Sequence, residues 1–154
     1  MVAQSELITK TDNLKKILVV GDGGVGKTCL VNACFPYDDF DKKRKPTFGI
    51  DVNKKNNYVI CDLPGYETWG NTCHDLSDIN LCIIVYDVTR ETSYKNIEKW
   101  KKKVIDKCGA DKFVIIGNKV DLENERKIND DNTINISIKN KINLLCLLQE
   151  IDVI

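Results

Sequence analysis

The stretch that decides the fold is residues 21–28, Gly-Asp-Gly-Gly-Val-Gly-Lys-Thr, which directly follows the apolar run Ile17–Val20. A strand that ends in this pattern predicts a phosphate-binding loop, because glycines permit a tight turn whose N–H groups face a polyphosphate. A helix predicted to begin near Lys27 directs its positive dipole end at the same anion. Lys27 is expected to reach the terminal phosphates, and Thr28 to ligate Mg²⁺. The pattern therefore indicates a nucleoside phosphate ligand, with these candidate contacts: Asp22, Gly23, Gly24, Val25, Gly26, Lys27, Thr28 and Cys29.

The composition indicates a single intracellular domain. The chain has 154 residues with 23 basic and 23 acidic side chains, so net charge does not direct it to nucleic acid or to an anionic membrane. Its seven cysteines form no CxxC pair and are expected to be reduced, as in the cytoplasm or the nucleus. Residues 1–13 lack the features of a signal peptide, and no apolar run approaches the roughly 18 residues of a membrane span. The one histidine, His74, is interpreted as an ordinary surface or switch residue.

Predicted strands and helices alternate along the chain. The strands are predicted at Lys16–Val20, Thr47–Val52, Tyr58–Cys61, Leu81–Tyr86, Phe113–Ile116 and Ile134–Ile136. The helices are predicted at Lys27–Cys34, Ser93–Cys108 and Lys141–Ile151. Within the second helix, Trp100 is expected to pack in the core rather than against a ligand. The polar turn Asn53–Asn57 predicts that the two strands beside it form a hairpin.

The order of these elements predicts an α/β fold. Continuous apolar runs such as Leu81–Tyr86 are typical of central parallel strands that helices cover on both faces. We therefore expect a three-layer phosphate-loop fold, in which a mostly parallel six-stranded sheet has helices on both faces. This domain is expected to occupy residues 15–154, after a flexible N-terminal extension at residues 1–14.

A second motif, Asn-Lys-Val-Asp at residues 118–121, follows a later strand. The Asp121 carboxylate can accept hydrogen bonds from the ring N–H and the exocyclic amino group of guanine, a pattern that adenine cannot supply. Asn118 is expected to join this loop to the phosphate loop. The Lys119 stem would cover one face of the base, with Phe40 stacked on the other. After the last strand, a backbone N–H can reach the guanine carbonyl from one of three residues: Ser137, Ile138 and Lys139. Because ligands gather at the carboxyl ends of parallel strands, these motifs in this order favour guanine.

Another strand ends in Asp-Leu-Pro-Gly at residues 62–65. The Asp62 carboxylate is expected to hold a water on Mg²⁺, close to the hydroxyl of Thr28. The N–H of Gly65 is expected to point toward the γ-phosphate.

Five segments carry a resemblance to a known family: GDGGVGKTCLV (21–31), KPTFGIDV (45–52), DLPGYE (62–67), IIVYDVTRETSYKNIEKW (83–100) and GNKVDL (117–122). Together they resemble small GTPases of the Ras superfamily, nearest its Rab and Ran branches, from about Lys15 to Ile151. The resemblance implies a G-domain that switches between GTP and GDP, with mobile segments around Thr47 and Gly65. It places Thr47 on Mg²⁺ and the γ-phosphate. It also implies an exchange factor, an activating protein and effectors as partners, in vesicle or nuclear trafficking or in signalling.

The chain departs from that family at a residue of catalysis. Tyr66 stands where the family carries the glutamine that orients the attacking water. A phenol has no carbonyl acceptor for this water, so hydrolysis is expected to be intrinsically slow. By the resemblance, the catalytic candidates are Lys27, Thr47, Gly65 and Tyr66.

Other departures concern the elements and the membrane. The interval from Asn118 to Ser137 is too short for the family's customary helix plus a strand, so one inter-strand helix is expected to be missing. No terminal cysteine is available for prenylation, and Val2 excludes an N-myristoyl glycine, so no direct membrane anchor is expected.

Three functions are compatible with these motifs. The first is a GTP/GDP switch with slow hydrolysis, and the second is a non-catalytic GTP-binding scaffold that recruits partners. The third is an ATP-using phosphate-loop enzyme, which the guanine-type motifs at residues 118–121 and at Ser137 disfavour. We expect the first, because Thr28, Thr47 and Asp62 keep Mg²⁺ chemistry available.

Overall fold

The computed structural model describes residues 15–34, 51–55, 58–63 and 76–152. These residues form one six-stranded sheet in the order β2-β3-β1-β4-β5-β6. The strands are β1 Lys15–Val20, β2 Asp51–Lys55, β3 Tyr58–Asp62, β4 Leu81–Asp87, β5 Phe113–Asn118 and β6 Ile134–Asn135. All neighbouring strands pair in parallel except β2 and β3, which are antiparallel. The prediction of a mostly parallel six-stranded sheet is confirmed.

The antiparallel pairing of β2 and β3 is also confirmed, but β2 extends further than predicted. Asn53, Lys54 and Lys55 belong to β2, where the last two pair with Val59 and Tyr58. Polar residues in this stretch favour a turn in the sequence because they interrupt the apolar alternation. Backbone pairing with β3 continues through them, since a strand at the edge of a sheet tolerates polar side chains.

The helices of the described residues lie where they are predicted, but several of their boundaries differ, and the segment predicted from Ser93 begins at Glu91. They are α1 Lys27–Cys34, α2 Glu91–Lys95, α3 Ile97–Cys108 and α4 Leu144–Asp152. The single helix predicted from Ser93 is interrupted at Asn96, which separates α2 from α3. The closing helix begins later than predicted because Lys141 and Asn143 have φ angles of 57° and 58°, which an α-helix excludes. In the part of the chain described here, no helix is both long and apolar enough to cross a bilayer.

Alternate residues of the central strands face two separate apolar cores. In β1, Leu18 and Val20 face the core that contains Trp100 and Val104 of α3. On the other face, Ile17 and Val19 belong to the core that takes in these residues of α1 and α4: Leu30, Val31, Leu147 and Ile151. Every residue of β4 is buried, as expected for a strand between two helical layers. The three-layer prediction is confirmed.

The expected absence of an inter-strand helix is confirmed between β5 and β6. In that interval the structure has only the short 3₁₀ helix Glu123–Glu125. The chain instead folds back on Val88, whose carbonyl oxygen accepts hydrogen bonds from Lys127 N–H at 2.8 Å and Ile128 N–H at 3.0 Å. A loop therefore covers part of the surface beside β5, where Phe113, Val114 and Ile115 are half-buried.

Candidate nucleotide-binding site

The candidate site lies at the carboxyl end of β1, where the strand order changes direction. In the sheet, β1 lies between β3 on one side and β4 on the other, so the chain leaves β1 in opposite directions for these two strands. A point where the strand order reverses in this way opens a crevice for ligands. Residues 21–26 form the loop between β1 and α1. Two of its glycines are sterically required: a Cβ on Gly21 would lie 2.2 Å from the Val85 carbonyl oxygen, and one on Gly26 would lie 2.5 Å from Asn118 Nδ2. Their φ angles of 145° and 102° also disfavour other residues.

Lys27, the first residue of α1, is buried and faces the phosphate loop. Its side-chain Nζ donates a hydrogen bond of 2.9 Å to the carbonyl oxygen of Asp22. Burial lowers the pKa of Lys27, the charges of Asp62 and Asp22 oppose this shift, and the positive charge of Arg90 adds to it. Desolvation disfavours the charged form of a buried lysine, and an anion beside it stabilises that charged form. The arrangement suits a phosphate group.

Thr28 and Asp62 place two oxygen atoms that could bind a metal next to this lysine. The Thr28 hydroxyl donates a hydrogen bond of 2.5 Å to Asp62 Oδ2, which joins α1 to the end of β3. Hydroxyl and carboxylate oxygens are the ligands that Mg²⁺ prefers in proteins, so the pair fits this metal. The two predicted metal-binding residues that the structure describes are therefore adjacent.

Asn118, at the end of β5, connects the second motif to the phosphate loop as predicted. Its buried Nδ2 donates to the Val25 carbonyl oxygen at 2.9 Å. Its Oδ1 accepts a hydrogen bond of 3.3 Å from the N–H of Ile138. One side chain therefore holds three segments, from the loops after β1, β5 and β6.

Lys119 adds a second connection between the same loops. Its Nζ donates to the Gly24 carbonyl oxygen at 3.0 Å and lies 2.7 Å from Oδ2 of the buried Asp87. The residue has a φ of 74°, an uncommon conformation for a side chain other than glycine and one that clusters at functional sites. The Lys119 backbone lies in the loop after β5 and its Nζ is bonded to the phosphate loop, so the aliphatic stem of the side chain spans the distance between the two loops.

Asp121 and Ser137 meet at the far end of the site. The Ser137 hydroxyl donates a 2.5 Å hydrogen bond to Asp121 Oδ1 and accepts one of 3.1 Å from the N–H of Asn140. The backbone N–H of Ser137 already donates to the Ile142 carbonyl oxygen at 3.3 Å. Of the three backbone donors predicted for the base, that of Ser137 is therefore engaged within the protein, and that of Ile138 makes only the long bond to Asn118. Lys139 is exposed.

Contacts on the outer side of the phosphate loop could not be foreseen from the motifs. The Asp22 carboxylate accepts hydrogen bonds of 2.8 Å from Asn96 Nδ2 and 2.8 Å from Trp100 Nε1. Arg90 Nη2 donates to the carbonyl oxygen of Gly23 at 2.8 Å. Trp100 is 1% exposed, so its predicted place in the core is confirmed, but its indole N–H has a second role. Helical spacing predicts that Trp100 faces the core, but it gives no indication of this hydrogen bond.

Several predicted contacts lie outside the described residues, and they remain predictions. They are Phe40, Thr47, Gly65 and Tyr66.

Comparison with known proteins places the chain among related sequences. A model of the Ras family matches residues 16–146. The chain is 34% identical over 137 residues to "Ras-related protein Rab-13" of Canis lupus familiaris, which covers 82% of this chain and 66% of that protein. It is 35% identical over 128 residues to the Bos taurus protein of the same name, covering 76% of this chain and 62% of the relative. The chain thus spans slightly less than two thirds of the length of these relatives.

Proposed function

We propose that this chain is a switch between GTP-bound and GDP-bound states. The premise is that the chain belongs to the Ras family of small GTPases and lies nearest its Rab members. In this proposal it hydrolyses GTP slowly in the presence of Mg²⁺ and acts in intracellular trafficking or signalling. The observation that carries the proposal is the 2.9 Å hydrogen bond from Asn118 Nδ2 to the Val25 carbonyl oxygen. It unites the loop that suits a base with the loop that suits phosphates.

The base end of this site favours guanine on chemical grounds. Asp121, when ionised, can only accept hydrogen bonds, and guanine offers two adjacent donors. The bond from the Ser137 hydroxyl holds one carboxylate oxygen in place, which pre-orients the group. The N–H of Ile138 makes a bond of 3.3 Å, so it can turn to the guanine carbonyl oxygen at small cost. Adenine would offer a single amino group and would leave the carboxylate incompletely paired.

The phosphate end supports binding of a di- or triphosphate. Lys27 supplies positive charge, and the loop between β1 and α1 supplies N–H groups at a helix N-terminus. Thr28 and Asp62 would hold Mg²⁺, directly and through a water respectively. When bound, the metal neutralises charge on the β- and γ-phosphates. We extend the ligand set to Thr47 by the family pattern.

Slow hydrolysis is proposed because Tyr66 occupies the position of the water-orienting glutamine. Lys27 and the loop amides can still stabilise charge, whereas a phenol cannot hold the water as an amide does. We expect turnover on the order of 10⁻⁴ per second or below. Tyr66→Gln should raise the rate about tenfold, equivalent to ~1.4 kcal/mol, in a single-turnover assay of GTP-loaded protein. A wild-type rate equal to that of glutamine-bearing relatives without a partner would contradict this limit.

The same residue supports a second candidate, a scaffold that stays loaded with GTP and recruits partners. The two candidates differ in one measurement, the fraction of GTP converted to GDP in loaded protein over several hours. Hydrolysis above that of GTP kept in the same buffer without protein favours the switch. Nucleotide that stays GTP, with or without cell extract as a source of activators, favours the scaffold.

Base selectivity tests the proposal most directly. We would displace a fluorescent GDP analogue from the protein with GTP, GDP or ATP in Mg²⁺ buffer. GTP and GDP should compete at concentrations at least about a hundredfold lower than ATP, because an acceptor-only site built for two donors rejects a base that lacks them. As a matched control, removal of the exposed Lys112 by alanine should not change displacement, whereas Lys27→Ala should abolish most binding. Equal competition by ATP would overturn the assignment to guanine.

A further inference from the structure

The phosphate loop is attached to α3 through the side chain of Asp22. Both carboxylate oxygens are engaged, Oδ2 by Asn96 Nδ2 and Oδ1 by the indole N–H of Trp100, each at 2.8 Å. Asn96 occupies the N-cap position of α3, at the interruption between α2 and α3, and Trp100 is one turn further along. Trp100 is almost fully buried and packs in the core on that face of the sheet, so its ring cannot move without disturbing α3.

The same residue also contacts the cation that faces the phosphates. The carbonyl oxygen of Asp22 accepts the 2.9 Å hydrogen bond from Lys27 Nζ. A continuous path of contacts therefore leads from α3 through the side chain and backbone of Asp22 to Lys27. Arg90, which directly precedes α2, makes another contact with the loop. Its Nη2 donates a hydrogen bond to the carbonyl oxygen of Gly23, the residue after Asp22.

Electrostatics explains why these donors matter. A carboxylate inside an anion-binding loop opposes a polyphosphate, unless it is turned outward and its charge is shared with donors. Asn96 and Trp100 supply two such donors on the side of α3, and hydrogen bonds to an ionised acceptor are stronger than neutral ones. With the Asp22 carboxylate held toward α3 by these donors, its charge opposes a bound polyphosphate less.

We propose that Asn96 and Trp100 are positioning residues that set the lifetime of the bound nucleotide. They hold the Asp22 carboxylate toward α3 and so keep the phosphate loop in the conformation that retains phosphates. This inference rests on the proposed function, because it concerns the same nucleotide site. If Asn96 and Trp100 have this role, a displacement of α3 would speed nucleotide release.

The test measures release of a fluorescent GDP analogue from the full chain after addition of excess GDP. Trp100→Phe keeps an aromatic ring in the core but removes the donor, and Asn96→Ala removes the other donor from a half-buried side chain. Each should accelerate release about tenfold, in line with the loss of one hydrogen bond to a charged acceptor. Val104→Ala serves as the matched control, because it opens the same core in α3 without contacting Asp22. It should lower the melting temperature and leave the release rate within about twofold of the wild type.

An exchange of groups separates positioning from general damage. Asp22→Asn should speed release, since its amide has one acceptor oxygen for the two donors and carries no charge. The double variant Asp22→Asn with Asn96→Asp restores a donor opposite an acceptor and should return release to within about threefold of the wild type. Rescue of this kind supports positioning, because a purely structural role would leave the double variant at least as impaired as the single ones.

The outcomes are distinguishable. If the wild type binds GDP tightly and both Trp100→Phe and Asn96→Ala release it at the wild-type rate, the inference is wrong and the proposed function stands. If Val104→Ala accelerates release as much as Trp100→Phe, loss of stability explains the effect and the inference is wrong. If the wild type binds no guanine nucleotide, the proposed function fails and the inference fails with it.

Discussion

Replacement of Asn118 by alanine is the perturbation whose magnitude can be worked out most directly. The substitution removes the donor to the Val25 carbonyl oxygen at 2.9 Å and the acceptor from the Ile138 N–H at 3.3 Å. Asn118 itself is only 4% exposed, so solvent reaches the vacated partners poorly. Each buried polar group left without a partner costs about 1–3 kcal/mol, and the longer bond belongs at the low end of this range. The free energy of unfolding should therefore fall by about 2–4 kcal/mol.

The assay is urea unfolding followed by circular dichroism, with and without saturating GDP. For a domain of this size an m-value of about 2 kcal/mol per molar urea converts the loss into a midpoint shift of about 1–2 M. GDP should stabilise the variant less than the wild type, because the base and phosphate loops are no longer joined. Asn118→Asp keeps the acceptor but replaces the donor to Val25 with a carboxylate, so it should lose at least as much.

Asn124→Ala is the matched control, since Asn124 is exposed in the 3₁₀ helix after the same motif. It should unfold at the wild-type midpoint. A shift below about 0.3 M for Asn118→Ala would refute the reasoning, because the buried Val25 carbonyl oxygen and the partly buried Ile138 N–H cannot both lose their partner at so small a cost.

Three further predictions concern the nucleotide and the pH dependence of stability. Asp121→Asn should move preference from guanine toward xanthine nucleotides, because an amide can donate where the carboxylate only accepts, and competition with xanthosine diphosphate checks it. Thr28→Asn should weaken Mg²⁺-GTP more than GDP in the displacement assay, since the lost hydroxyl is a proposed ligand of the Mg²⁺ that would accompany the triphosphate; equal loss for both would contradict the metal role. Burial raises the pKa of Asp87, but hydrogen bonds from Lys119 and Thr89 outweigh it, so the net pKa lies below the usual 3.8. Its stabilising contribution is therefore complete above about pH 3.8 and is lost as the pH falls below it, so the stability gap between wild type and Asp87→Asn should narrow in acid urea titrations.

Much of the architecture follows from local patterns. The apolar runs at β1, β4 and β5 predicted a parallel sheet, and the glycine pattern at residues 21–28 predicted a loop at its carboxyl edge; the structure confirms the sheet and the position of this loop. The expected loss of a helix between β5 and β6 is also confirmed, because the length of an interval limits which elements fit within it. Boundaries were less predictable. The start of α4 depends on the positive φ angles of Lys141 and Asn143, and although asparagine adopts this conformation more often than most residues, lysine does not.

The sequence by itself determined which chemical groups this protein carries and the order in which strands end beside them. Glycines at Gly21 and Gly26, a lysine and a threonine in one turn, and a motif of Asn-Lys-x-Asp type suffice for that conclusion, because loop geometry and hydrogen-bonding capacity are local properties. Only the tertiary structure decided which groups meet. The contacts of Asp22 with Trp100 and of Lys119 with Asp87 join residues far apart in the chain, and they depend on how α3 and β4 pack. Spacing along the chain carries no information about such distances, since the direction of a side chain in a packed core is set by neighbours from other elements.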